Sequence, residues 1–182
     1  AQDIAYGVLR RYGWGEFILA RLMARPLSHG ETQALLLAAL YRLDTRPDAA
    51  PMVVDQAVAA SGELTGGALK GVVNGVLRSF LRQRESLLMA LEKDDVAHHW
   101  HPSWWLARLR RGYPDRWMDI VAAANRPPPM TLRVNRRITS VDDYQARLAS
   151  IGIVARTHGD SGLILDKPVG VELLPGFSEG SV

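Results

Sequence analysis

The sequence predicts a mainly α chain in which a helical bundle is followed by a small α/β module of order β-α-β-β. Three observations carry that reading. Apolar residues recur at spacings of three and four from the first residues to about Leu91, three successive prolines at Pro127 to Pro129 stop the helical pattern, and beyond them the period changes from 3.6 to 2. With 182 residues, 47% hydrophobic and 23% charged, the chain can bury one ordinary core or two small ones, and disorder and low complexity are excluded.

The pattern opens abruptly on Ile4, Ala5, Val8 and Leu9, without the cap expected where a helix starts, so an N-terminal truncation is expected. Ser28 and Glu31 form a capping box ahead of an apolar helix ending near Leu43, and Arg46 to Pro51 is the next loop. Pro51 suits the first turn of a helix through Val53, Val54, Ala57 and Val58 to Gly62.

The helix from about Gly66 to Arg84 is the most informative. Leu69, Val72, Val73, Val76, Leu77 and Phe80 form its apolar face, and Lys70, Asn74, Arg78 and Arg82 another edge. Gly71 and Gly75 each cost about 1 kcal/mol against Ala, which close approach of a neighbouring helix would offset. A second helix continues to about Leu91, and Lys93 to His101 reads as a polar, His-rich connector. Pro102 opens a helix with Trp104, Trp105, Leu106 and Leu109, and Pro114 another with Trp117, Ile120 and Val121. After the prolines, Met130 to Val134 alternates as a strand, Ser140 starts a helix through Tyr144 and Leu148, and Ile153 to Arg156 and Leu163 to Leu165 read as two more strands. The expected domains are 1–97, a helical connector 98–126, and the α/β module 127–182.

Charge is unevenly spread. From Lys70 to Arg137 there are thirteen Lys and Arg against six Asp and Glu, whereas after Ile138 three basic residues face six acidic ones. Arginine supplies 19 of the 22 basic residues, which suits phosphate recognition but also fits an arginine-rich codon usage. No apolar run approaches the 18 or more residues that span a bilayer, and there is no cysteine, so neither disulfide, thiolate zinc site nor cysteine nucleophile is available. A cytoplasmic chain is expected.

Several motifs dissolve on inspection. Gly159-Asp160-Ser161-Gly162 resembles a protease nucleophile loop but reads as turn chemistry between strands. His98, His99 and His101 with Asp94 and Asp95 lack a metal-ligand spacing, and the glycines at Gly13, Gly15, Gly66 and Gly71 lack the context of a nucleotide loop. Adjacent carboxylates at Asp94/Asp95 and Asp142/Asp143 point in different directions. What remains is cationic: Lys70, Asn74, Arg78 and Arg82 on one helix edge, and Trp104, Arg108 and Arg111 on another, a combination of phosphate contacts and a stacking ring that suits RNA. Core packing of a tryptophan and surface ion pairing are the competing explanation.

Lys70-Gly71-Val72-Val73-Asn74-Gly75-Val76-Leu77-Arg78, followed by Phe80-Leu81-Arg82, resembles the signature helix of NusB-like RNA-binding domains in the version fused to rRNA methyltransferases. Further stretches occur in the same order: Ala5 to Arg10, Leu22 to Pro26, Leu40 to Leu43, His101-Pro102-Ser103-Trp104, Tyr113-Pro114, Arg126 to Met130, Leu132-Arg133-Val134-Asn135 and Leu174-Pro175-Gly176-Phe177. Across essentially its whole length the chain is similar to the N-terminal half of the bacterial 16S rRNA cytosine-5 methyltransferase family of the RsmB/Sun/Fmu type, which carries a longer segment near Arg46 to Ala50.

The resemblance implies a NusB-like bundle, 16S rRNA as partner, and a C-terminal Rossmann-like methyltransferase domain of the same protein. That domain would hold S-adenosylmethionine and two catalytic cysteines, so no cofactor and no catalysis are expected of this piece alone. The expected RNA contacts are Lys70, Arg78, Arg82, Arg108, Arg111, Arg133, Arg136 and Arg137, of which the last three could instead face the catalytic domain. The alternative is a stand-alone NusB-like antitermination or protein-interaction module, against which the α/β appendage argues.

Overall fold

The computed structural model describes residues 2–182 and divides the chain into two compact units, Ala1–Asn125 and Arg126–Val182. In the first unit the order is α1 (Gln2–Arg10), α2 (Tyr12–Leu22), α3 (Gly30–Thr45), α4 (Ala50–Thr65), α5 (Lys70–Leu91), α6 (Asp95–His99), α7 (Ser103–Gly112) and α8 (Trp117–Ala124). The core forms where α2, α3, α4 and α5 turn their apolar stripes inward: Trp14, Phe17 and Ile18 meet Leu36, Leu40 and Leu43 from α3, Val53, Val54 and Ala57 from α4, and Val73, Leu77 and Phe80 from α5. The Trp14 and Phe80 rings pack edge to face, with centroids 6.0 Å apart.

Several local expectations are corrected. The start of α3 is capped by His29 rather than Ser28: its imidazole Nδ1 accepts from the Thr32 backbone N–H at 3.3 Å. Helix α5 runs unbroken from Lys70 to Leu91, because nothing between Gln83 and Ser86 breaks it and Leu87 and Leu91 keep their place in the core. Val72 is 39% exposed, so it stands on the outer side of that helix rather than on its apolar face.

Lys93 to His101 is no solvated connector. It contains α6, capped by the Asp94 carboxylate accepting from Ala97 N–H at 2.9 Å, and Ala97 is fully buried where α6 packs on α2.

The glycines on α5 also behave differently from the expectation. A Cβ at Gly71 or Gly75 would meet nothing within 4 Å, so no neighbouring helix needs them. Close approach occurs instead at Gly7, where a Cβ would overlap the Tyr41 ring, and at Gly15, where it would overlap the Leu37 side chain. Gly71→Ala and Gly75→Ala are therefore each expected to stabilise the fold by about 0.5–1 kcal/mol, and Gly7→Ala to destabilise it by about 1–3 kcal/mol. Urea denaturation of the single variants checks both signs.

A salt-bridge hub ties the bundle together. The Asp44 carboxylate, near the end of α3, accepts from Arg11 Nη2 at 2.8 Å and from Arg84 Nη2 at 2.7 Å. The Arg11 guanidinium lies 4.8 Å from the Trp14 ring centroid and 4.5 Å from that of Trp100. Trp100 closes α6 in the left-handed region, at φ 61°.

The second unit is an antiparallel sheet of order β1-β3-β2, built from β1 (Thr131–Arg133), β2 (Ala155–His158) and β3 (Gly162–Leu165), with α9 (Val141–Ser150) between β1 and β2. Leu132 lies opposite Leu163, and Ala155 opposite Leu165. The inward-facing Leu132, Leu163 and Leu165 bury against Tyr144 and Leu148 of α9, a core separate from that of the bundle. Ser140 caps α9, accepting from Asp143 N–H at 3.0 Å. Strand β2 starts two residues later than alternation alone indicates, at Ala155, because pairing to β3 sets its limits.

Candidate nucleic-acid interface

Helix α5 presents Lys70, Asn74, Arg78 and Arg82 four residues apart, so they climb one side of it, and all but the half-buried Asn74 are exposed. Arg78 Nε donates to Asn74 Oδ1 at 2.9 Å, and Arg82 Nη2 donates to Ser79 Oγ at 3.1 Å. Both bonds orient a guanidinium without neutralising it. The Lys70 stem lies across Gly62, placing the ammonium at the foot of the row. Arg84, by contrast, is turned to Asp44, and its charge is paired within the bundle although the side chain is partly exposed.

Helix α7 shows the same division. Leu106 and Leu109 bury with Val121 of α8, and Trp105 packs beside them with its ring 4.4 Å from that of His101. Arg110 makes a bidentate pair with Asp95, at 2.6 and 2.8 Å, and lies 4.3 Å from the Trp117 centroid. Trp104 is left 65% exposed, with Arg108 and Arg111 also exposed. Trp105, then, is the structural anchor, and Trp104 is the ring available for stacking.

In the second unit Arg133 ends β1 on its solvent side, and Arg136 and Arg137 follow in an exposed turn. That turn is held by Asn135, whose Nδ2 donates to the Gly180 carbonyl at 2.9 Å and whose Oδ1 accepts from Arg137 N–H at 3.2 Å. Among the described residues, none of Lys70, Arg78, Arg82, Arg108, Arg111, Arg133, Arg136 and Arg137 forms an ion pair, whereas Arg11, Arg84 and Arg110 do. The sequence does not point to Arg156 and His158, which are exposed on β2; only the register of β2 on β3 puts them on one face with Arg133.

The histidines beside α7 are structural. His99 stacks edge to face on His98 and on Trp117, with centroids 4.6 and 5.0 Å away, and no group of three or more metal-ligating side chains comes together among the described residues. Burial holds the His99 imidazole below its ordinary value, with repulsion from His98 adding to it, and burial does the same to His101.

Both are therefore neutral in the fold at pH 7. The unfolded chain binds more protons just below pH 6.5, so stability is complete above that value and falls as pH drops through it. His99→Gln should flatten that acid limb in urea titrations at successive pH values.

Comparison with known proteins matches these two bodies separately. Residues 1–82 match the NusB family, and residues 101–172 match the ferredoxin-like domain of RsmF/B-like methyltransferases. The chain thus joins a NusB-type helical domain to a ferredoxin-like domain of the kind found in RNA methyltransferases. It is similar over its whole length to ribosomal RNA small subunit methyltransferase B of Escherichia fergusonii, at 37% identity, and of Vibrio cholerae, at 38%.

The chain is thus similar to the N-terminal part of these relatives and spans 43% of their length. The crystal structure of PH0851 has the same fold, with a TM-score of 0.70 at 14% identity, over 99% of this chain and 42% of that one.

Proposed function

We propose that this chain is the RNA-binding N-terminal part of an S-adenosylmethionine-dependent 16S rRNA cytosine-5 methyltransferase, and that it positions rRNA for a C-terminal catalytic domain of the same protein. The observation that carries the reading is the sorting of the arginines: those on the α5 and α7 edges have no carboxylate partner among the described residues, while Arg84 and Arg110 on the same helices are paired with Asp44 and Asp95. Unpaired guanidinium rows supply phosphate affinity through counterion release, and the exposed Trp104 supplies a platform for an unpaired base.

Gly71 and Gly75 fit the same role. With no Cβ and no neighbour, they leave bare backbone between Lys70 and Arg78, where a sugar-phosphate chain can come close. The rRNA substrate is supported by the names of the relatives, and their greater length supports a further domain. S-adenosylmethionine and the catalytic cysteines are assigned to that domain, since this chain contains no cysteine. No helix among the described residues is long and apolar enough to cross a membrane, and action on ribosomal RNA supports a cytoplasmic location.

Titrating the 182-residue chain with a 16S rRNA hairpin and an unrelated hairpin over a range of salt tests the reading. Binding that weakens steeply with salt and favours the rRNA piece is expected. Absence of binding even at low salt would overturn it.

A further inference from the structure

The three-stranded sheet has a second face that the α5 and α7 rows do not account for. On β1, Leu132 points to the core, which puts Thr131 and Arg133 on the opposite side; on β3, Leu163 and Leu165 point in, which puts Gly162 and Ile164 out. Register then fixes the cross-strand rows of the outer face. Thr131, Ile164 and Arg156 form one row, and Arg133, Gly162 and His158 the next. Helix α9 covers the inner face, while Thr131, Arg133, Arg156 and His158 are all exposed.

The face has a definite chemistry. Arg133 and Arg156 stand on opposite edge strands, in rows two residues apart, so their backbones are about 12 Å apart diagonally across the sheet. Neither forms an ion pair among the described residues, and Asp160 and Asp166, in the hairpin turn and just past β3, pair with neither. Between them lie the half-buried Ile164 and the side-chain-free Gly162, where a Cβ would collide with the His158 carbonyl, so the middle of the face is apolar and flat. A protein partner would have to supply two carboxylates spaced across the sheet. An extended polyanion supplies negative charge along its whole length.

We infer that this outer sheet face binds single-stranded RNA, with Arg133 and Arg156 holding successive stretches of backbone and unpaired bases lying over Ile164 and Gly162. The inference rests on the RNA-binding reading above and extends it to Arg156 and His158, which lie outside the α5 and α7 rows.

Its test is the salt dependence of binding of the full 182-residue chain to an unstructured oligouridylate. For a single strand, each phosphate that a variant leaves unneutralised lowers the slope of log K against log salt by about 0.7. Arg156→Gln should lower it by about that amount, Arg133→Gln with Arg156→Gln by about twice as much, and Arg156→Lys should leave it near the parent value. Arg147→Gln, on α9 away from this face, should change nothing.

An unchanged slope in the double variant, with α5 variants still weakening binding, would overturn the sheet assignment and leave the broader reading intact. If the parent chain binds no RNA, both fall. Self-association that the double variant abolishes, with RNA binding unchanged, would assign the face to a second copy and overturn the inference.

Discussion

Asp44→Ala is expected to cost about 3 kcal/mol, the largest single-site loss in the bundle, because it strands two guanidinium groups around a mostly buried position. The Asp44 side chain is 12% exposed and that of Arg11 15%, and Arg11 is enclosed further by two tryptophan rings. Arg84, at 41%, can turn to water. The order of destabilisation should therefore be Asp44→Ala, then Arg11→Ala, then Arg84→Ala, the last within about 1 kcal/mol of the parent. Urea midpoints at constant m-value measure it, and a loss below about 1 kcal/mol for Asp44→Ala would mean that the hub is not what holds α1, α3 and α5 together.

Reversing Arg78 and Arg82 together to glutamate is expected to reduce affinity for the 16S rRNA hairpin about tenfold or more at low salt, with a smaller salt slope. Both side chains are exposed and, among the described residues, bonded only to Asn74 and Ser79, so thermal stability should stay within about 0.5 kcal/mol of the parent. Arg84→Glu, two residues further along the same helix, is the informative contrast: it should lower stability by setting a second carboxylate against Asp44, and leave RNA affinity nearly unchanged. Equal affinity losses in all three positions would indicate a general field of charge rather than a positioned row.

Much of this architecture is legible in the residues because it is set locally. The stripes of α3, α4 and α5, the cap at Ser140 and the break at Pro127 to Pro129 each depend on a few neighbours in the chain, and so does the exposed order of Lys70, Arg78 and Arg82. What local pattern hides is what depends on distant partners. Nothing near Lys93 to His101 reveals that α2 offers a surface for Ala97, so a short helix reads as a solvated link. Gly71 and Gly75 look like helix-crossing positions, yet the crossings fall at Gly7 and Gly15 because Tyr41 and Leu37 reach them. Helical spacing sets Arg111 beside Trp104 and Arg108 and leaves Arg110 aside, but it does not reveal that Asp95, fifteen residues before Arg110, pairs with it. Arg156 joins the candidate surface only through strand register, a relation between segments rather than a property of either.

The strand order has a consequence for how the chain is made. β1 pairs only with β3, so during synthesis Thr131 to Arg133 must wait through α9 and β2 before its hydrogen-bonding partner leaves the ribosome. For that interval it is an open edge, the sort of backbone that recruits strands from other nascent chains. The prolines immediately before it have no N–H to offer, so a wrongly docked strand finds no donor on which to extend the ladder past Met130. The same three residues that end the helical half of the molecule thus shorten the adhesive part of its unfinished sheet.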